Sequence, residues 1–377
     1  MAAQQSGYYI GLMSGTSLDG IDAALVRIES SNGDIEAIEL VSSHFLPLPM
    51  ALKTALIKLS SNQDMRVFQL GQAQVELAEI SAIAVNRLLE QCQMMAADIT
   101  AIGCHGVTIG HYPDADKPFS MQITDGSVLS ARTGIDVITD FRMMDIAASG
   151  QGAPLVPPFH QAILQNRIDN AIVLNLGGIA NITALKAGFP VLGYDTGPAN
   201  TLLNLWCEKH LGQPYDKGGV WAASGQLNSQ LLHQLLQEPY FNRPAPKSCG
   251  KELFNLGWLQ RVLDRLNLVD IQSNDVQCTL VHLTAKTIVD QVLKFDDIES
   301  VLVCGGGVHN GFLMSCLNQY LPQLEIQSTM AFGVCPDNME AMAFAWLAWC
   351  RVNHKFGNLP SVTGAGQQRV LGAWYRH

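Results

Sequence analysis

Three glycine-rich turns each follow an apolar, β-branched run in this 377-residue sequence: Met13-Ser14-Gly15-Thr16-Ser17-Leu18-Asp19-Gly20, Leu176-Gly177-Gly178-Ile179-Ala180-Asn181 and Cys304-Gly305-Gly306-Gly307. Backbone without a Cβ can approach a phosphate closely, and successive N–H groups form an anion nest, so such turns suit the polyanionic end of a nucleotide. The hydroxyls of Ser14, Thr16 and Ser17 add donors to the first turn. Any one of these turns alone reads equally as an ordinary tight turn. Three in one chain, one of them rich in Ser and Thr, favour phosphate.

Carboxylates stand at related places. Asp195 follows an apolar run and precedes Thr196-Gly197-Pro198, where a strand meets a helix N-terminus. Such a residue either caps the helix or, aimed by a rigid strand end, acts as a general base. Glu340 lies three residues after Asp337 at the start of an apolar helix, which is the spacing of a capping box and is also compatible with a substrate contact. Asp19, inside the first turn, is placed to hold magnesium through water, or simply to form the turn before Gly20. His105, Asp140 and Arg142 are polar groups at other strand ends, open to substrate binding or to structural roles. Cys104 and His105 are adjacent on a strand, so their side chains point to opposite faces and make a poor thiol–imidazole pair.

No G-x-x-x-x-G-K-[ST] segment occurs, which excludes a Walker-type phosphate loop. A dinucleotide fold competes more seriously. Residues 301–311 read as strand, glycine turn and helix, and Glu325 lies about 20 residues beyond Gly305, where a ribose-binding acid would stand. Against it, the turn is one residue too long, and too little chain follows for a full doubly wound domain.

These residues need elements to position them. Short apolar runs alternate with longer amphipathic stretches, so the fold class is α/β. Residues 8–14, 22–28 and 35–46 read as three antiparallel strands, and 67–93 as a core-facing helix carrying Leu70, Ala73, Val75, Leu77, Ile80, Ile83 and Leu88. Strands follow at 101–104 and 135–139, separated by a polar segment over 106–118. The pattern then returns as strands at 171–175, 179–185 and 191–194, helices near 227–236, 256–266 and 275–293, a strand at 301–303 and a helix from Gly311. That return suggests a duplicated domain core. Residues 239–251, with three prolines and one glycine among them, read as the most mobile loop.

Composition narrows the partners. With 23 basic and 33 acidic side chains the net charge is −10, and no run of Lys and Arg is available to neutralise nucleic acid phosphates. The longest apolar stretch, residues 342–350, is about half of what a bilayer span needs, so no membrane is expected. The N-terminal residues lack the basic and apolar regions of a secretory signal, which predicts a cytoplasmic protein. Nine widely spaced cysteines without a C-x-x-C pair fit buried thiols better than disulfides or structural zinc.

Gly11-Leu12-Met13-Ser14-Gly15-Thr16-Ser17-Leu18-Asp19-Gly20-Ile21-Asp22 resembles the signature of the anhydro-N-acetylmuramic acid kinases. Asp140-Phe141-Arg142, Asn175-Leu176-Gly177-Gly178, Asp195-Thr196-Gly197-Pro198, Cys304-Gly305-Gly306-Gly307 and Met339-Glu340-Ala341-Met342 extend the resemblance over nearly the whole chain. It departs at Val107, Ser149, Cys335 and Asn338, where the family usually carries Gln, Gly, Pro and Trp. The resemblance implies two related actin-like ATPase (ribonuclease H-like) domains, with mixed sheets flanked by helices and a cleft between them. Residues 1–168 would form the first domain and 169–335 the second, with a helix and tail over 336–377 returning to the first.

It implies ATP and Mg²⁺ as cofactors, an amino sugar as substrate and a homodimer. Gly15, Thr16, Ser17, Leu18, Asp19, Gly20, Ile21 and Asp22 would hold the ATP phosphates, Gly177 and Gly178 would supply a second phosphate contact, and Gly305, Gly306 and Gly307 the adenosine side. Asp195 matches the family's catalytic base and Glu340 a carboxylate near the sugar, with His105 and Asp140 as further sugar-side candidates. The implied reaction opens the 1,6-anhydro bridge with water and phosphorylates the released O6. On the same fold, a nucleotide-gated ATPase of the actin or chaperone type is the alternative.

Overall fold

Thirteen strands form among the described residues of the computed structural model: β1 (Ser6–Met13), β2 (Gly20–Ser31), β3 (Asp34–Pro47), β4 (Ile99–Cys104), β5 (Val107–Tyr112), β6 (Phe119–Ile123), β7 (Val137–Thr139), β8 (Ala171–Leu176), β9 (Ile179–Leu185), β10 (Leu192–Pro198), β11 (Ser300–Cys304), β12 (Glu325–Ser328) and β13 (Ala373–Tyr375). The structure describes residues 6–15, 18–31, 34–60, 66–164, 167–168, 170–250, 253–268 and 270–377. Thr16 and Ser17 lie outside them.

The chain divides into two units, Met1–Leu164 with Asn338–His377, and Gln165–Asp337. In the first, the sheet order is β13-β7-β4-β1-β2-β3. β1, β2 and β3 pair antiparallel, while β4 and β7 run parallel to β1. In the second, the order β10-β9-β8-β11-β12 repeats the plan, with β8, β9 and β10 antiparallel and β11 and β12 parallel to β8. Each is therefore a ribonuclease H-like sheet, in which the first, fourth and fifth strands end at one edge. β8 and β11 are buried at every position, and both are apolar but for Asn175 and Ser300, as strands covered on two faces must nearly be.

Helices cover these sheets. Val67–Cys92 buries Ala73, Leu77, Ala78, Val85 and Leu88 on one stripe and ends at Gln93 in the left-handed conformation. Val75 and Ile83, expected on its core face, are solvent-exposed at 39% and 42%. In the second unit Ser273–Val292 is buried on nearly all sides, as a helix running through a core should be.

The helix Met339–Val352 packs on β1 and β4, and two glycines allow it to do so. A Cβ on Gly11 would stand 1.7 Å from the Ala341 carbonyl oxygen, and one on Gly103 would stand 2.0 Å from that of Phe344. The capping box expected from Asp337 and Glu340 does not form. Asn338 occupies the N-cap position without a side-chain cap, and the Asp337 carboxylate instead accepts from His309 Nε2 at 2.9 Å. The segment over 106–118, expected as a polar connection, contains β5 and leads into β6, an antiparallel hairpin carrying Thr108, His111, Ser120 and Gln122 as a hydrogen-bonded row.

Candidate active site

In the second unit, strand direction brings three sequence signals to one edge. β8 and β11 are parallel with Asn175 opposite Cys304, so the Gly177-Gly178 turn and the Gly305–Gly307 segment leave the sheet side by side. β10 runs the same way, and its last residue, Pro198, pairs with Ile179 just after the first of these turns. The start of the helix Asn200–Leu211 ties them together. Asn200 N–H donates to the Gly177 carbonyl, and the N–H groups of Ala199 and Thr201 donate to that of Gly178, each at 3.1 Å. Asn200 Nδ2 donates to the Leu176 carbonyl at 2.8 Å.

The glycines here are of two kinds. At Gly305, with φ +80°, a Cβ would meet Asn175 Oδ1 at 2.4 Å, and one on Gly307 would meet Leu176 Cβ at 2.5 Å. These two permit the close approach of neighbouring chain. A Cβ on Gly306 meets nothing within 4 Å, and the nearest atom to one on Gly177 is 3.5 Å away. Their open faces leave backbone accessible to a phosphate or another ligand, which is what a nucleotide cradle requires.

Asp195 lies inside β10, not after it. The ladder pairs Asp195 with Asn181 and Gly197 with Ala180, so Thr196 is an extra residue in a bulge. The strand continues because β10 is an edge, where Pro198 need not donate to a neighbour. The capping reading fails: Ala199 is the N-cap and no side chain caps the helix. Bulges re-aim side chains, and this one carries a half-buried carboxylate at the sheet's working edge.

Segment 239–249 holds that carboxylate in place. Cys249 N–H donates to Asp195 Oδ2 at 3.0 Å, Tyr240 OH donates to the Asp195 carbonyl at 2.9 Å, and Asp195 N–H donates to the Lys247 carbonyl at 3.1 Å. The expectation of a loose loop here is corrected. Residues Pro239–Asn242 form a 3₁₀ turn, and Tyr240, Phe241 and Lys247 are all buried, because two aromatic rings and the lysine stem supply the apolar area that anchors it.

In the first unit a second edge collects the remaining candidates. The hairpin tip after β1 is closed by Ser14 Oγ donating to the Gly20 carbonyl at 2.9 Å and Leu18 N–H donating to that of Gly15 at 3.1 Å. Leu18 is buried with φ +54°, and Ile21 and Asp22 follow Gly20 into β2, Asp22 opposite Met13. Asp19 is 65% exposed and pairs with Lys53 Nζ at 2.8 Å. No group of three His, Cys, Asp or Glu side chains able to hold a metal exists among the described residues.

His105 and Asp140 end β4 and β7 at this same edge. Arg142 donates from Nε and Nη2 to His105 Nε2, at 3.2 and 2.9 Å, while His105 Nδ1–H donates to the Gly106 carbonyl at 2.9 Å. Burial first, and the Arg142 guanidinium second, push His105 down to about 3, so the ring is neutral and bridges the two partners. Asp140 takes φ +53°, and burial raises its carboxyl against the lowering effect of the Met143 N–H. Arg142 Nη1 also donates to the Gly152 carbonyl at 2.8 Å, beside the buried Asp145, which accepts from Gly152 N–H, Asn358 and Thr363.

Glu340 sits in the first turn of Met339–Val352, next to the Ala341 that lies against Gly11. The structure thus groups Gly15, Leu18, Asp19, Gly20, Ile21, Asp22, His105, Asp140 and Glu340 in one unit, and Gly177, Gly178, Asp195, Gly305, Gly306 and Gly307 in the other. Glu325, the ribose candidate of the dinucleotide reading, begins β12 opposite Ser300, at the far end of β11 from Gly305. That geometry excludes the reading. A cavity of about 530 Å³ lined by Ser6, Tyr8, Arg27 and Asp98 lies at the opposite end of β1 from the hairpin tip, and there Arg27 is already paired with Glu29 and Glu39.

Tyr240, Lys247 and Cys249 were not singled out by the sequence. Their contribution runs through a phenol and two backbone groups, and such contacts leave no residue-type signal.

Two ribonuclease H-like sheets, each with glycine turns and carboxylates at one edge, define a two-unit α/β fold. The model of the anhydro-N-acetylmuramic acid kinase family matches residues 7–377, essentially the entire sequence, and the chain belongs to that family. It is therefore a kinase that uses ATP and acts on a sugar. Solved structures similar to it include the activator of 2-hydroxyisocaproyl-CoA dehydratase from Clostridium difficile with bound ADPNP, at 13% identity and TM-score 0.48 over 92% of this chain and 96% of that one. A ROK family glucokinase from Streptomyces griseus in complex with glucose and AMPPNP matches at 12% identity and TM-score 0.42, over 90% of this chain and 99% of that one.

Proposed function

We propose that the protein opens 1,6-anhydro-N-acetylmuramic acid with water and phosphorylates the freed O6, giving N-acetylmuramic acid 6-phosphate for peptidoglycan recycling in the cytoplasm. The observation that carries this reading is the placement of Asp195. In a chain of this kinase family it stands on a bulge, with one carboxylate oxygen held by the Cys249 N–H, at the edge where the open glycines Gly177 and Gly306 lie.

Asp195 takes a proton from water, whose oxygen bonds to the anomeric carbon as the C1–O6 bond breaks. The released O6 attacks the γ-phosphorus of ATP, ADP leaves, and Asp195 returns its proton to solvent. A residue anchored on a strand, with its carboxylate fixed by a backbone N–H, needs little reorganisation to do this. The backbone of Gly15 to Asp22 and of Gly177 and Gly178 binds phosphate, Gly305 to Gly307 lie toward the adenosine, and Glu340 and Asp140 contact the sugar. His105, neutral and accepting from Arg142, serves by holding that guanidinium in position.

Mg²⁺ supplies charge neutralisation at the transferring phosphoryl when bound. Asp19, whose carboxylate pairs with Lys53 Nζ at 2.8 Å, is the residue of this chain that would approach the ion, through water.

The test is ADP release from ATP with and without the anhydro sugar, with mass detection of the phosphosugar. Sugar-dependent ADP release matched by phosphosugar is expected. Sugar-independent release without phosphosugar would replace the kinase reading by that of a nucleotide-gated ATPase.

A further inference from the structure

Lys247 is 8% exposed and has no carboxylate among its hydrogen-bond acceptors. Its ammonium donates to the carbonyls of Phe241 at 3.1 Å and Tyr240 at 3.4 Å, and lies 4.8 Å from the centre of the Tyr240 ring. Burying a lysine this way is costly, and what it secures is a closed circuit of contacts. The Lys247 carbonyl accepts from Asp195 N–H, the Lys247 side chain holds the Tyr240 backbone, and Tyr240 OH donates back to the Asp195 carbonyl. Two residues on from Lys247, Cys249 N–H donates to the Asp195 carboxylate.

Each link in that circuit fixes one atom of the base. The backbone of Asp195 is pinned on both sides of its Cα, and one carboxylate oxygen is pinned by Cys249. The ammonium joins the two ends of segment 239–249, a link it shares with the contact between the Tyr240 hydroxyl and Cys249, and its removal leaves two buried carbonyls without their donor.

We propose that Lys247 is the positioning residue of the catalytic base, its buried ammonium locking segment 239–249 against β10 so that the Asp195 carboxylate faces the attacking water. This rests on the reading of Asp195 as base. The circuit weakens when the amine loses its proton, because a neutral amine is a poorer donor to the two carbonyls and loses the cation's attraction to the Tyr240 ring. Burial, with Lys294 the next cause, lowers Lys247 to about 8, against the opposing effects of Cys249 and Asp195. The groups facing it are Asp195 and Tyr194 of β10, Tyr240, Arg243 and Cys249 of its own segment, and Lys294 beyond the helix Ser273–Val292.

Three substitutions and one structure test this. Lys247→Met is expected to lower kcat about 10- to 100-fold, the loss that a misplacement near 1 Å produces, with the KM for ATP unchanged. In the wild type kcat should fall as pH rises through about 8, when the ammonium is lost. Lys247→Arg should recover most of kcat and abolish that alkaline limb, because a guanidinium does not titrate there. Cys249→Ser keeps the backbone donor and removes the thiol from the profile, so a limb that persists in it and vanishes in Lys247→Arg belongs to the lysine.

A crystal structure of Lys247→Met reads the positioning without any turnover, with the Asp195 carboxylate expected to leave the Cys249 N–H. An unmoved Asp195, or an alkaline limb identical in wild type and Lys247→Arg, would overturn the proposal. If the wild type forms no phosphosugar the kinase reading fails by itself, and the crystal structure still decides the role of Lys247.

Discussion

The two sheets share a strand order and differ in what they place at the edge where their parallel strands end. In the first unit that edge carries a hairpin tip between two long strands, β1 and β2, together with His105, Arg142 and Asp140. In the second, the corresponding turn shrinks to Gly177-Gly178, and the third strand is bulged at Asp195. The shared topology provides an edge; a longer loop or one inserted residue decides what is presented there. The first unit's polar groups are bridged to one another, whereas the second unit's carboxylate is held mostly by backbone.

The sharpest test of this contrast is Asp195→Asn. If the second unit carries the base, kcat for phosphosugar formation falls about 10³-fold while nucleotide binding, read by titration calorimetry, is preserved. Near-normal turnover would move the base elsewhere.

Next comes a pair of glycine substitutions. Gly103→Val drives a side chain into the Phe344 carbonyl of a packed helix and should cost about 3 kcal/mol in urea unfolding. Gly306→Ala enters open space, so stability should stay within about 0.5 kcal/mol while the KM for ATP rises about tenfold. Equal destabilisation by both would mean that the two kinds of glycine are not distinct.

The units should also differ in acid. Burial lowers His105 and His160 to about 3 and His111 to about 4, all in the first unit. An unfolded chain takes up those protons below about 6.5, which the folded protein resists. Stability is therefore present at neutral pH and lost as pH falls, by up to about 1.4 kcal/mol per pH step of one for each histidine. Hydrogen exchange at pH 5 should open the first unit before the second, and His105→Gln should flatten the pH dependence of unfolding.

The smallest effect is expected at Lys53, whose pair with Asp19 is largely solvated. Lys53→Met should change stability by less than about 0.5 kcal/mol.

Much of this was legible beforehand, for identifiable reasons. β1 to β3, β8 and β9 are long or mostly apolar runs bounded by turn residues, and the helix Val67–Cys92 carries a sustained stripe, so local pattern and tertiary demand agree. The readings that needed correction lie where they diverge. β5 is too polar to look like a strand, yet pairs as a hairpin in which the Gln122 amide nitrogen donates to the hydroxyls of Thr108 and Ser120. Asp337 has the spacing of a capping residue, but His309, distant in sequence, takes its carboxylate. The prolines around residues 239–249 suggested freedom, whereas Tyr240 and Lys247 bury themselves and fix the segment.

By itself the sequence determined the residue types able to do chemistry, the glycine turns that can admit phosphate and the family to which the chain belongs, because these depend on local spacing and on which atoms a residue carries. Only the tertiary structure decided that three of those signals in the second unit leave one sheet edge together, that Glu325 lies at the wrong end to join them, and that Asp195 is hydrogen-bonded by Tyr240, Lys247 and Cys249. Those outcomes depend on strand direction, ladder register and backbone hydrogen bonds between residues far apart in the chain, which no local pattern encodes.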